Sequence, residues 1–329
     1  MKILAIRFAR LGDIILLLPS LASLKRKFPD SELTFLTGHR CAPIAELCPA
    51  IDHVISVDRV AMRDGPRIRA LQQIGRLVRD VRSRQFDLVV DFHSFRETNL
   101  LTWLSAARMR MGIKRYDAPY WGFCFNLAPI PEDKTIHVAD MFQRVVAGIP
   151  AGAQGTNDGS VIPFPTLGRM PIKKTEQPTV ALFVDAPVPE RVWPPERFAE
   201  VADFAMEKLG ASVTVISSSE HADLAVRVRQ SSRMPAKLSI FTDLTLPQLA
   251  AVIGSAHLFI SNDTGPMHIG PAVGVPTIGL FSVGIPTHFR PAGLSDRFVQ
   301  ANPIEQIKAQ EVIEIVVEMW TTACRDLRC

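Results

Sequence analysis

The stretch from Phe259 to Phe281 constrains the fold more tightly than any other part of the chain. It runs from an apolar strand into the polar cluster Asn262-Asp-Thr-Gly-Pro-Met-His268, through a short run of small residues, across a Gly/Pro turn and into a second apolar strand. That order is one complete βαβ unit. Its polar residues gather where the first strand stops and the helix starts. Free backbone N–H groups, the Thr264 hydroxyl and His268 are therefore expected together at a positive helix end, which suits a phosphate or pyrophosphate.

The same alternation of strand and helix patterns fills the rest of the 329 residues. In the first half, strands are expected at Lys2 to Phe8, Glu32 to Leu36, His53 to Val57, Phe86 to Asp91 and Arg110 to Ile113. Helices are expected at Ala42 to Leu47, from about Pro66 to Arg84, and up to about Ala147. A Gly-, Pro- and Ser-rich stretch follows. The pattern restarts with strands Thr179 to Val184, Ser212 to Ile216 and Lys237 to Phe241, and a last helix from about Pro303 to Cys324. We therefore expect an α/β protein of two doubly wound, Rossmann-like domains facing across a cleft, at 1–160 and 179–329, joined by a linker at 161–178. Neither half has a Gly-x-Gly-x-x-Gly turn or a Gly-x-x-x-x-Gly-Lys-Ser/Thr loop, which argues against a dinucleotide dehydrogenase and a P-loop phosphotransferase.

Charge is split unevenly. Residues 1 to 165 carry 22 Lys+Arg against 16 Asp+Glu, a net of +6, and the remainder carries 15 against 17, a net of −2. Solvated helix faces account for such an excess, as does attraction to a phosphorylated glycolipid or an anionic leaflet. Nucleic acid is a poor match, because the basic residues are not interleaved with aromatic stacking positions and there are only two tyrosines. No apolar run approaches the ~18 to 20 residues that span a bilayer, and no signal-like segment opens the chain, so a cytoplasmic protein is expected. Five cysteines without a Cys-x-x-Cys pair suggest neither a disulfide framework nor a zinc site.

Parallel sheets place ligands at the carboxyl ends of their strands, which singles out several residues. Gly12 and Asp13 follow the first strand, and Asp13 reads either as a helix N-cap or as a functional carboxylate. Asp91 ends another strand, with His93 and Arg96 after it; His93 reads as a satisfied polar residue at a helix start or as a ligand contact. The aromatic residues Tyr116, Tyr120, Trp121, Phe123 and Phe125 read as packing, with the lining of a substrate mouth as the second reading. In the second half, Asp263, Thr264 and Gly265 form the expected phosphate cradle. Arg191 is the cation to reach it, unless it makes a surface ion pair, and Trp193 beside it reads equally as packing.

Two motifs carry a resemblance. Arg10-Leu-Gly-Asp13 with Pro19, and Ser261-Asn-Asp-Thr-Gly-Pro-Met-His268 followed by Gly274-Val-Pro-Thr-Ile-Gly-Leu-Phe281, resemble glycosyltransferase family nine, the heptosyltransferases of lipopolysaccharide core assembly. Arg191-Val-Trp-Pro-Pro-Glu-Arg-Phe198 is similar to the family's Lys-x-Trp-Pro loop, and Thr245-Leu-x-x-Leu249 to its pre-signature helix. The resemblance implies a GT-B fold and an inverting, metal-independent transfer with no cofactor, from a nucleotide-sugar donor, usually ADP-heptose, to an anionic glycolipid acceptor. It places the enzyme in the cytoplasm, in peripheral and transient contact with the inner membrane surface. By motif, Asp13 would be the base. Arg191, Trp193, Asp263, Thr264, Gly265, Pro266 and His268, with Glu220 or Asp223 at the nucleoside, would hold the donor. Gly12, Asp91, His93 and Arg96 would face the acceptor, and activity would depend on the two domains closing.

The sequence also departs from the family pattern. Asp91-Phe-His-Ser94 replaces Asp-x-Gln-Gly, Phe281-Ser-Val-Gly284 replaces Phe-Gly-x-Thr, and Asp185 to Glu190 lacks the usual Gly-Ala-Ser character. A non-catalytic nucleotide-sugar-binding protein, and a sugar-nucleotide epimerase or hydrolase on the same scaffold, stay open at this level.

Overall fold

The computed structural model describes residues 1–151, 164–170 and 173–323, apart from the side chains of residues 63, 322 and 323. The chain divides into two compact units, Met1–Ile162 and Pro163–Cys329. Residues 161–163 and 171–172 of the expected linker lie outside the described residues, as does Cys324 at the expected end of the last helix. Thr166 and Leu167, from the described part of that linker, both donate their backbone N–H to Ala272 O at 2.9 Å, which fixes this segment to the second unit.

The first unit holds six parallel strands: β1 (Lys2–Ile6), β2 (Glu32–Gly38), β3 (His53–Val57), β4 (Leu88–Asp91), β5 (Met109–Lys114) and β6 (Ile130–Pro131). Their order across the sheet is β3-β2-β1-β4-β5-β6. The second holds β7 (Thr179–Phe183), β8 (Ser212–Ile216), β9 (Leu238–Phe241), β10 (Leu258–Asn262), β11 (Thr277–Phe281) and β12 (Arg297–Gln300), in the order β12-β11-β10-β7-β8-β9. Read from either end, this is the same doubly wound order used twice. In each sheet the order in which the chain adds strands reverses once, between β1 and β4 and between β7 and β10. At such a switch point the crossovers leave in opposite directions and open a crevice at the carboxyl ends.

Central strands of a parallel sheet are covered on both faces, so they read as nearly continuous apolar runs. Ile3 to Ile6, Val180 to Leu182 and Leu258 to Ile260 are all fully buried. β6 and β12 escape the sequence reading because they lack that signature: β6 is two residues long, and β12, Arg-Phe-Val-Gln, buries only Val299. Short helices at Arg59–Asp64 and Pro286–Phe289 were not expected either. The last helix starts at Ala309 instead of Pro303, since a 3-10 turn at Ile304–Gln306 occupies its expected first turn. The helix after β4 starts at Arg96 and not at His93, because Ser94 takes φ 50° between them.

Candidate active site

In the first unit, the register sets Ile6 beside Asp91, so the chain leaves β1 and β4 side by side at the switch point. Asp13 lies in the first turn of helix Leu11–Lys27, whose N-cap is Arg10; no side chain caps that helix, so the N-cap reading of Asp13 is set aside. Its carboxylate instead meets Arg7, Nη2 to Oδ1 at 2.7 Å, with the Asp13 side chain 25% exposed and Arg7 buried. Arg7 donates its other amino group to Phe92 O at 2.7 Å and lies 5.0 Å from the Phe142 ring centroid. The buried guanidinium thus fixes Asp13 from below while part of the carboxylate reaches solvent.

Asp91 and His93, expected as acceptor contacts, are both buried. Asp91 is fully buried, and its Oδ1 accepts the backbone N–H groups of His93 at 2.9 Å and Ser94 at 2.7 Å. It closes the turn that carries Ser94 through its positive φ. Burial pushes the Asp91 carboxyl up to about 7, against the pull of those hydrogen bonds and of Arg7. His93 is held between Phe8, edge-on at 5.6 Å, and Phe95 at 4.6 Å. Its pKa is driven down to about 2 by burial and by the charges of Arg7, Arg59 and Arg115, so it is a neutral ring at neutral pH. Gly12 is buried in the helix start, and Arg96 is exposed as the first residue of the helix that follows the loop.

Arg7, Arg59 and Arg115 escaped the sequence reading. Arg59 lies over Phe8 at 5.1 Å and Arg115 over Phe95 at 4.5 Å, which brings two cations to the rings that enclose His93. Arg7 had left a signal: a charged residue inside the apolar run Lys2 to Phe8, at the end of a central strand.

In the second unit, Ser261 lies beside Phe183, and the loops after β7 and β10 are tied together by Asn262. This amide is fully buried. It accepts the backbone N–H of Trp193 at 3.2 Å and donates to Val184 O at 3.0 Å. Arg191 reaches Asp263 with one amino group, 3.1 Å from Oδ2 and 3.3 Å from the backbone O. Burial raises the Asp263 pKa and Arg191 lowers it. A Cβ on Gly284 would come within 2.1 Å of Asp263 Oδ2, so the glycine that departs from the family pattern permits this carboxylate position. Asp263 and His268 are buried; Thr264, Gly265 and Pro266 are partly exposed and open a 3-10 turn, Gly265–His268, that runs into Ile269–Ala272. The first N–H groups of a helical turn have no partner within it, and here Thr264 and Gly265, partly exposed, open the turn directly after Asp263.

Trp193, expected at the donor, packs in the core. It is fully buried, crosses Phe198 edge-on at 4.8 Å, and gives its indole N–H to Ile307 O at 3.0 Å. Glu220 and Asp223 are exposed on either side of His221. The residue that joins this turn to β7 is Asp185, which the sequence reading had noted only as a departure: it is buried, accepts the Ser218 N–H at 3.1 Å, and lies 2.8 Å from His221 Nδ1. Among the described residues, no cluster of three or more His, Cys, Asp or Glu side chains could hold a metal ion, and no helix is long and apolar enough to cross a membrane.

Both switch points therefore hold a cation set by buried polar groups, with Asp13 reaching solvent in the first unit and a glycine-containing turn in the second. Known proteins share this framework. The chain is 23% identical to lipopolysaccharide heptosyltransferase 3 of Escherichia coli, over 85% of this chain and 83% of that protein. The crystal structure of the family 9 glycosyl transferase of Veillonella parvula superposes with a TM-score of 0.79 at 21% identity, covering 98% of this chain and 97% of the other. E. coli heptosyltransferase WaaC, solved with ADP-2-deoxy-2-fluoro heptose, superposes with a TM-score of 0.79 at 19% identity, covering 97% and 99%. The fold is thus of the GT-B type. The profile of glycosyltransferase family 9 (heptosyltransferase) matches residues 74–316, more than half of the chain and all but the first strands of the framework just described, so the chain belongs to that family and is a glycosyltransferase.

Proposed function

We propose that the enzyme transfers a heptose from ADP-heptose to a hydroxyl of a lipopolysaccharide-core acceptor, with inversion at the anomeric carbon and without a metal ion. The reading rests above all on Asp13, a partly exposed carboxylate oriented by buried Arg7 at the switch point of the first unit. In this reading the acceptor hydroxyl attacks the anomeric carbon as Asp13 takes its proton, and the bond to the diphosphate breaks on the opposite face. Negative charge then grows on the departing diphosphate. Arg191 and the N–H groups of the turn at Thr264 and Gly265 would stabilise it, a role open to preset donors that need no metal. Asp263 acts through Arg191: its buried carboxylate holds the guanidinium in place. Asp185 and His221, 2.8 Å apart and beside exposed Glu220, would serve the nucleoside.

Support for the donor comes from the WaaC structure, whose ligand is an ADP-heptose analogue, and for the acceptor from the lipopolysaccharide heptosyltransferase relative. Such a reaction would run in the cytoplasm, in transient contact with the inner membrane surface, with an anionic glycolipid as the second substrate and no nucleic acid partner. Labelled ADP-heptose and a heptose-deficient core acceptor, incubated with the enzyme in excess EDTA, test the proposal. Attached heptose of inverted anomeric configuration is expected. Free heptose released without acceptor, or transfer that EDTA abolishes, would overturn it.

A further inference from the structure

Helix Arg67–Ser83 of the first unit is an unusual surface element. It spans 17 residues, yet only Val81 is buried. Leu77 and Val78 pack against the apolar cluster of β1 and β4, so the C-terminal half is anchored. The N-terminal half overhangs. Ile68 is 72% exposed and Leu71 68%, and Ile74 and nearby Val60 are also exposed. Residues 68, 71, 74 and 78 recur at helical spacing, which makes one apolar stripe half anchored and half uncovered.

The charge around that stripe is one-sided. The helix carries Arg67, Arg69, Arg76, Arg79 and Arg82 against the single acid Asp80. From residue 59 to residue 84 there are eight arginines and two aspartates, 8 − 2 = +6, equal to the entire excess of the first half. Asp80 is taken by Arg84 at 3.1 Å.

A second apolar patch lies on the neighbouring helix, Arg96–Leu104, which packs beside Arg67–Ser83. Both helices cross the sheet in the same direction, from β3 to β4 and from β4 to β5, and right-handed crossovers put them on the same face. There Trp103 is 48% exposed and meets Phe123, 65% exposed, at 6.2 Å; Trp121 stacks on Phe123 at 6.0 Å. Exposed indole and phenyl rings beside a basic amphipathic helix match a lipid headgroup boundary, where rings insert and arginines meet phosphate.

We infer that this face of the first unit, helix Arg67–Ser83 with Trp103 and Phe123, docks on the surface of an anionic lipid bilayer. Charge complementarity selects that occupant: a second copy would bring the same arginine-rich face against itself, and a neutral membrane would leave the arginines unmatched. The inference gives a location to the membrane contact proposed above, yet it needs neither donor nor acceptor. It is therefore tested apart from transfer.

The full chain is sedimented with vesicles of phosphatidylcholine alone and with about one-third phosphatidylglycerol, both free of glycolipid. Binding to the anionic vesicles at least ~10-fold tighter, weakened by added salt, is expected. Ile68→Ser/Leu71→Ser/Ile74→Ser and, separately, Arg69→Glu/Arg76→Glu should each weaken it at least ~10-fold. All five side chains are exposed, so the thermal melt and transfer to a soluble, deacylated acceptor should not change. Equal binding to both vesicle types, no binding, or variants that bind like the parent would overturn the inference. So would self-association that these variants abolish, which assigns the face to a second copy, or lost transfer to the soluble acceptor with vesicle binding intact, which assigns it to the acceptor.

Discussion

The two units use one topology and solve its central problem differently. Each must bury polar groups at the switch point so that a few others are presented outward. In the first unit the buried groups are ionisable: Arg7 pairs with Asp13, while Asp91 and His93 are displaced toward their neutral forms, to about 7 and about 2. In the second unit an amide does the central work, since Asn262 makes two backbone hydrogen bonds and carries no charge. At that switch point Arg191 pairs with Asp263, and His221 Nδ1 lies 2.8 Å from Asp185, each contact with one member closer to solvent. Desolvating a charge costs far more than desolvating a hydrogen-bonded amide. The first frame should therefore respond to pH, and the second to packing.

The largest effect should come from breaking the packing frame. Trp193→Ala removes a fully buried indole and its hydrogen bond to Ile307, and a loss of about 3 to 5 kcal/mol is expected in the stability of the second unit. Hydrogen exchange reads this unit by unit. Protection should fall in β7 and β10 and persist in β1 and β4; equal loss in both would contradict the division.

That buried tryptophan also shows how far the sequence could be read. The doubly wound class was legible because central parallel strands must be apolar throughout, and the Phe259–Phe281 unit and the alternation before it carry that signal. Position at strand ends was legible for the same reason, and it singles out Asp13, Asp91 and Asp263, with Arg191 in the loop after a strand. What a side chain faces was not. Trp193 and Arg191 are two residues apart in one loop, yet one is core and the other partly exposed, and only the hydrogen bonds of Asn262 and Ile307 decide between them. Asp91 and His93 look in sequence like a ligand pair; Ser94 at positive φ turns them inward. Arg59 opens a short helix and Arg115 follows β5, far apart in the chain, and both act on His93, which no local pattern encodes.

Next in size is the cation of the second unit. Arg191→Ala should weaken binding of the nucleotide-sugar donor by roughly 10- to 100-fold, the worth of a charge-assisted hydrogen bond, with Arg191→Lys recovering part of it. Titration calorimetry with ADP measures this, and unchanged affinity would remove Arg191 from the diphosphate. The same variants should leave the first unit's stability untouched.

Smaller, and diagnostic of the first unit, is the response to pH. The Asp91 carboxyl sits above its ordinary value of 3.8, at about 7, so the folded protein favours the protonated form. Its stabilising contribution is complete below about pH 4 and lost as pH rises through about 7. Asp91→Asn keeps an oxygen for the His93 and Ser94 N–H groups and cannot ionise. Urea denaturation at pH 5 and pH 8 should show the variant gaining on the parent at the higher pH. A constant difference between the two would mean that Asp91 does not titrate in this window.

The comparison also says which carboxylate is fit for chemistry: Asp91 is enclosed, whereas Asp13 is fixed on one side by Arg7 and open on the other. Asp13→Asn isolates that property, because the amide retains the shape and loses the base. Single-turnover transfer and donor affinity measured on the same preparation give the most direct test. The account predicts donor binding within about twofold of the parent and transfer slower by ~100-fold or more. Transfer at the parent rate would contradict it.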